Sequence, residues 1–141
     1  MTAGGVRKLL VGGVAAHSCA LGMLLLASPA WMLELAGWQY GGPAFFPRQS
    51  GVFLLIVGGA YLVGLWQRPF AEFLVATKAV AVLFLLTEYV FGEAPTAALV
   101  AALLDGAMGL SVALALAWER QRRRQVTQRP DRGPANPPPS A

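Results

Sequence analysis

Long apolar runs separated by short interruptions rich in charges or helix breakers dominate the chain, at 6–28, 50–67, 71–92 and 96–118. The hydrocarbon core of a bilayer, about 30 Å thick, needs about 20 mostly apolar residues per helix. The pattern therefore predicts four membrane-spanning helices and an all-α, integral membrane four-helix bundle. Pro29, Gly41, Gly42, Pro43 and Pro47 follow the first run, Arg68 and Pro69 the second, and Glu93 and Pro95 the third. The last two connections are short, which makes the last three spans antiparallel neighbours.

Composition agrees with lipid as the solvent. The 141 residues are 56% hydrophobic and 13% charged, with a mean hydropathy of +0.55, whereas a soluble domain is about 25% charged. Six of the eleven Lys and Arg residues (Arg120, Arg122, Arg123, Arg124, Arg129 and Arg132) follow the last run, so the pI near 9.8 describes the tail rather than the body. Lys and Arg mark the cytoplasmic side of a membrane protein. With an even number of spans, one orientation puts nine of the eleven cations inside, Arg48 outside and Lys78 within a span. Both termini are then cytoplasmic. Trp31, Trp38 and Tyr40 fall at the outer interface and Trp66 and Trp118 at the inner one, as aromatic belts do.

The stretch Arg120 to Arg124 directly follows a span, where anionic lipid headgroups attract each cation by about 1 kcal/mol. Headgroups rather than nucleic acid are its expected partner. The remainder of 119–141 reads as a basic and then Pro-rich cytoplasmic tail, disordered over 130–141 because it has no apolar surface to bury. At the other terminus, Arg7, Lys8, an apolar run and Ser28-Pro29-Ala30 loosely resemble a secretory signal. The run exceeds the about 7 to 15 residues of a signal core, which favours a span. The connection 29–49 is aromatic, and Pro29 followed by Trp31, Met32, Leu33 and Leu35 predicts a short interfacial helix ended by Gly41, Gly42 and Pro43. A lid is the functional alternative.

Candidate chemistry is sparse. Cys19 is the only cysteine and His17 the only histidine, which excludes an internal disulfide and a structural zinc site, and no catalytic or nucleotide motif is visible. The informative residues are His17, Tyr61, Lys78 and Asp105, because a charged group at the centre of a span costs about 2.5 to 3.5 kcal/mol and so faces protein or water. At about 1.5 Å per residue, His17 lies about 15 Å in from Arg7, Asp105 about 20 Å in from Trp118, and Tyr61 and Lys78 about 10 Å in from the inner turn. Ala98, Ala101, Ala102 and Gly109 share the face of Asp105, and such small-residue faces let helices approach closely in lipid. Asp105 is thus expected to point inward, within reach of Lys78 on the adjacent span. Either the four residues form a ligand or proton site, or an ion pair simply fixes which helices pack. Arg48, Glu88 and Tyr89 are secondary candidates, with Glu88 expected at the outer interface.

The segments Phe46-Pro47-Arg48-Gln49-Ser50-Gly51 and Gly58-Gly59-Ala60-Tyr61, with Lys78 and Asp105-Gly106, resemble small four-span bacterial proteins of the broad DoxX-like group over residues 7–118. That group has an Arg near the start of its first span, to which Arg7 corresponds, and a Gly and a Lys near its end, with Ser28-Pro29 standing here where the Lys is expected. The resemblance implies a four-span bundle in the bacterial inner membrane. Some of the group are small subunits of membrane oxidoreductases that exchange electrons with quinone. Three roles are expected: from a compact bundle with no extramembrane domain able to hold a cofactor, a non-catalytic accessory or interaction subunit that binds another membrane protein or its own copies; from the resemblance, a quinone-binding redox unit built on the polar cluster; and, with several copies enclosing a path, an oligomeric small-molecule transporter. The first leads, so no enzyme activity and no cofactor are expected.

Overall fold

The computed structural model of the protein describes residues 2–39 and 41–127. The described residues form five helices: α1 (Ala3–Ala27), α2 (Pro29–Leu35), α3 (Phe45–Val63), α4 (Arg68–Phe91) and α5 (Thr96–Thr127). Among the described residues there is no strand. Four stretches, Gly4–Ala27, Phe45–Val63, Arg68–Phe91 and Thr96–Gln125, are long and apolar enough to cross a membrane.

Local chemistry sets the boundaries. The Thr2 hydroxyl caps α1 by accepting from the Gly5 N–H at 3.2 Å, satisfying one of the donors a helix start leaves free. Pro29 opens α2 at a position where its missing N–H costs nothing. The short helix ends at Leu35, earlier than the expected stop at Gly41 to Pro43. Its terminator is Gly37, whose φ of +86° suits a residue without a β-carbon. The Gly37 and Trp38 N–H groups donate back to the Glu34 and Leu33 carbonyls, each at 2.9 Å, the paired bonds of a Schellman ending. Helix α3 begins at Phe45 rather than Ser50, so Pro47 and Arg48 belong to its first turns. Proline fits there because first-turn N–H groups have no intrahelical partner. The same reasoning lets α4 start at Arg68-Pro69.

The largest departure is at the end of α5. The basic stretch after Trp118 continues as helix to Thr127 instead of opening the tail, because Glu, Gln and Arg are good helix formers and no breaker precedes Pro130. The expected disorder of 130–141, together with Tyr40, Arg129 and Arg132, lies outside the described residues.

Helix α1 packs chiefly along α3 and α4 along α5; α1 against α5 joins the two pairs, and α3 meets α4 less extensively. The buried cluster of Val11, Val14 and Ala15 from α1, Tyr61 from α3, Ala71 and Leu74 from α4, and Val112 and Leu116 from α5 occupies one half of the bundle. That lower half holds the start of α1, the α3–α4 turn and the end of α5. Toward the upper end α4 turns Val80, Leu83, Phe84, Val90 and Phe91 outward. There the α1–α3 contact is made by backbone. A β-carbon at Gly22 would lie 2.8 Å from the Gly51 carbonyl oxygen, and one at Gly51 would lie 2.7 Å from that of Gly22. Even one methyl must push these helices apart, and overpacking costs about 1–3 kcal/mol. Gly51→Ala is expected to lower the thermal midpoint in detergent. Gly59→Ala, with nothing within 4 Å of the added carbon, is expected to be neutral or stabilising by up to about 1 kcal/mol through helix propensity. Equal responses to the two changes would contradict a backbone-to-backbone contact.

Candidate functional site

Polar side chains inside so apolar a bundle must find partners, because desolvating a charge or hydroxyl without one is costly. Lys78 on α4 and Asp105 on α5 do so with each other. The Nζ to Oδ1 distance is 2.5 Å, and the side chains are 8% and 18% exposed. The stem of Lys78 lies over Gly109, where a β-carbon would be 3.1 Å from the Lys78 Cβ. The small face of α5 is therefore what lets the ammonium reach the carboxylate.

Tyr61, buried on α3, hydrogen-bonds through its hydroxyl to Thr77 Oγ1 at 2.5 Å. Thr77 in turn donates to the Leu74 carbonyl at 3.0 Å, so its single proton is committed and the tyrosine is the donor between them. Thr77 carries no signal in the sequence beyond standing next to Lys78. Two of the four expected residues are thus joined directly, and Tyr61 is tied to the neighbour of one of them. His17 is half-buried on α1 and makes no hydrogen bond or ion pair with any described residue. Of the secondary candidates, Glu88 and Tyr89 are exposed near the upper end of α4. Arg48 is exposed beside a shallow cavity of about 500 Å³ that Phe45, Gln49, Val52 and Phe53 also line. None of the three approaches the Lys78–Asp105 pair through a hydrogen bond or ion pair.

A second ion pair, not anticipated from sequence, closes the lower end. Arg7 Nε lies 3.2 Å from Glu119 Oε1, and both side chains are 10% exposed. The same guanidinium donates to the Gly64 carbonyl at 2.5 Å and toward the Leu65 carbonyl at 3.5 Å. Carbonyls at a helix end lack intrahelical donors and carry the negative end of the helix dipole, so a planar group with several fixed donors suits this corner better than an ammonium. One side chain ties the start of α1, the end of α3 and the lower part of α5. A topology signal alone would have left Arg7 in water.

Exposed charges continue the α4–α5 tie below. Glu72 accepts from Arg68 Nε at 3.0 Å and from Arg120 Nη2 at 2.7 Å, while Arg122 sits 4.7 Å over the Trp118 ring. Along the α4–α5 seam lie two cavities, of about 310 and 360 Å³. The lower is bordered by Glu72 and Arg120, the upper by Lys78, Asp105 and Gly106, and both share Val75 and Ala113. Among the described residues no three His, Cys, Asp or Glu side chains come together as metal ligands would. Compared with known proteins, the chain matches no family model, no curated protein and no solved structure.

Proposed function

We propose that the protein is a multi-pass subunit of the bacterial inner membrane, with both ends in the cytoplasm, that acts by binding another membrane protein or its own copies rather than by catalysis. One observation carries this reading: the charged side chains inside the bundle are paired with one another, in Lys78–Asp105 and Arg7–Glu119, and the Tyr61 hydroxyl is tied to Thr77. Much of what faces outward is apolar helix surface, including Leu83 at 68% exposed and Phe91 at 85%. Surface of that kind is an aggregation hazard in water and the ordinary surface of a helix in lipid. The nine cations that one orientation gathers on a single side support the cytoplasmic placement of the ends.

The upper seam cavity favours a second reading, the quinone-binding unit implied by the DoxX-like resemblance. It reaches Lys78, whose ammonium has three donors and uses one on Asp105. Purification of the tagged chain in mild detergent, with mass analysis of proteins and extracted quinones, separates the two. A fixed ratio of a second membrane protein, or a defined oligomer, without quinone is the expected result. Stoichiometric quinone lost on Lys78→Met would support the redox reading instead.

A further inference from the structure

We infer that the α4–α5 seam is a binding site for a single anionic phospholipid, with its headgroup phosphate at Arg120 and Arg68 and one acyl chain lying up the groove toward Gly106. The two cavities share Val75 and Ala113, so they follow one another along the seam. From Arg120 to Gly106 the path is about 21 Å along α5, enough for a chain crossing one leaflet, whose hydrocarbon is about 15 Å deep. Its walls are apolar and its floor is kept open by Ala79, Gly106 and Ala113. Lys78 and Asp105 at its upper part neutralise one another and present no net charge to a lipid tail.

The lower mouth identifies the headgroup. Arg68 and Arg120 both contact the single carboxylate of Glu72, leaving one positive charge in excess. The helical continuation of α5 then carries Arg123 and Arg124 on its exposed turns. Arg120 remains 59% exposed despite its bond to Glu72, so it can also meet a phosphate. Basic pockets between helices at the cytoplasmic face suit anionic headgroups, at about 1 kcal/mol per cation. A second copy of the chain would bring the same arginines against this mouth, and a neutral lipid would leave the excess charge unanswered. The leaflet occupied rests on the orientation proposed above, whereas the binding itself does not.

The test uses the full chain in detergent after delipidation, titrated with phosphatidylglycerol and with phosphatidylcholine of identical acyl chains. Native mass spectrometry and thermal midpoint are the readouts. Phosphatidylglycerol is expected to bind with 1:1 stoichiometry, about tenfold more tightly than phosphatidylcholine, and to raise the midpoint. Ala113→Phe and Ala79→Phe, which fill the groove from lining positions, should abolish the tight site for both lipids. Arg120→Gln should keep binding but erase the preference between them. Soluble glycerol phosphate should not compete, because it has no chain. Equal affinity for the two lipids in the unaltered chain would overturn the proposal, as would tight binding that survives both groove-filling changes. Groove filling that alters oligomeric state without altering lipid binding would also overturn it, by assigning the seam to a second copy. None of these outcomes depends on which way the chain faces in the membrane.

Discussion

Replacing Arg7 by alanine is expected to destabilise the bundle by about 3 kcal/mol or more, the range found when one partner of a buried ion pair is removed. Glu119, itself 10% exposed, would lose its partner, and the Gly64 and Leu65 carbonyls would lose a donor at the end of α3. Arg7→Lys should recover only part of the loss, because one ammonium on a flexible stem cannot span a carboxylate and two carbonyls in a fixed fork. Glu119→Gln should be milder than Arg7→Ala, since an amide oxygen still accepts from the guanidinium. Lys8→Ala is the control: its side chain is exposed, and its removal should change stability by less than about 0.5 kcal/mol. Chemical unfolding in detergent measures all four. An Arg7→Ala loss no larger than that of Lys8→Ala would show that Arg7 serves topology alone.

The second large effect belongs to Lys78 and Asp105. Asp105→Ala leaves an ammonium that is nine-tenths enclosed without its carboxylate, and Lys78→Ala leaves the carboxylate. Each single change should destabilise, whereas Lys78→Met with Asp105→Leu should recover much of the loss, because apolar replacements for a buried pair are often neutral or better. Interhelical polar couplings in membrane proteins average about 0.6 kcal/mol and reach about 1.7. This pair belongs toward the upper end of that range, since the structure shows no other charged partner for either group among the described residues. A double-mutant cycle reads the coupling directly. Strictly additive losses would contradict an ion pair that holds α4 to α5.

The two pairs differ in how openly the sequence announces them. Lys78 and Asp105 were legible because a charge in the middle of an apolar run has few tolerable fates, and helical phase placed Asp105 on a face of small residues. Arg7 was not, because a cation just before a span already has a sufficient explanation in topology. The clue was there in Glu119: it follows the last span, and both residues sit at the same end of two antiparallel helices. Thr77 was invisible because a helical threonine usually satisfies its hydroxyl on its own backbone, as Thr87 does on Leu83 at 2.8 Å. The four long apolar helices followed from run length, yet their ends shifted where a residue's usual meaning is overridden. Pro47 and Pro69 looked like breakers but sit in first turns, and the basic stretch after Trp118 looked like tail but continues a helix. Gly37, rather than the later Gly-Gly-Pro, ends α2, because a left-handed conformation at one residue suffices.

The most direct test of a four-span bundle with cytoplasmic ends is labelling of intact cells by a membrane-impermeant maleimide, in a Cys19→Ala background carrying one new cysteine at a time. Gly42→Cys lies between α2 and α3, Gln67→Cys between α3 and α4, and Gln125→Cys near the end of α5. Labelling at Gly42 alone, with Gln67 and Gln125 reacting only after the cells are permeabilised, is the predicted result. Labelling of Gln67 and Gln125 from outside with Gly42 protected would invert the orientation, and labelling of both Gly42 and Gln67 in intact cells would contradict a membrane crossing by α3.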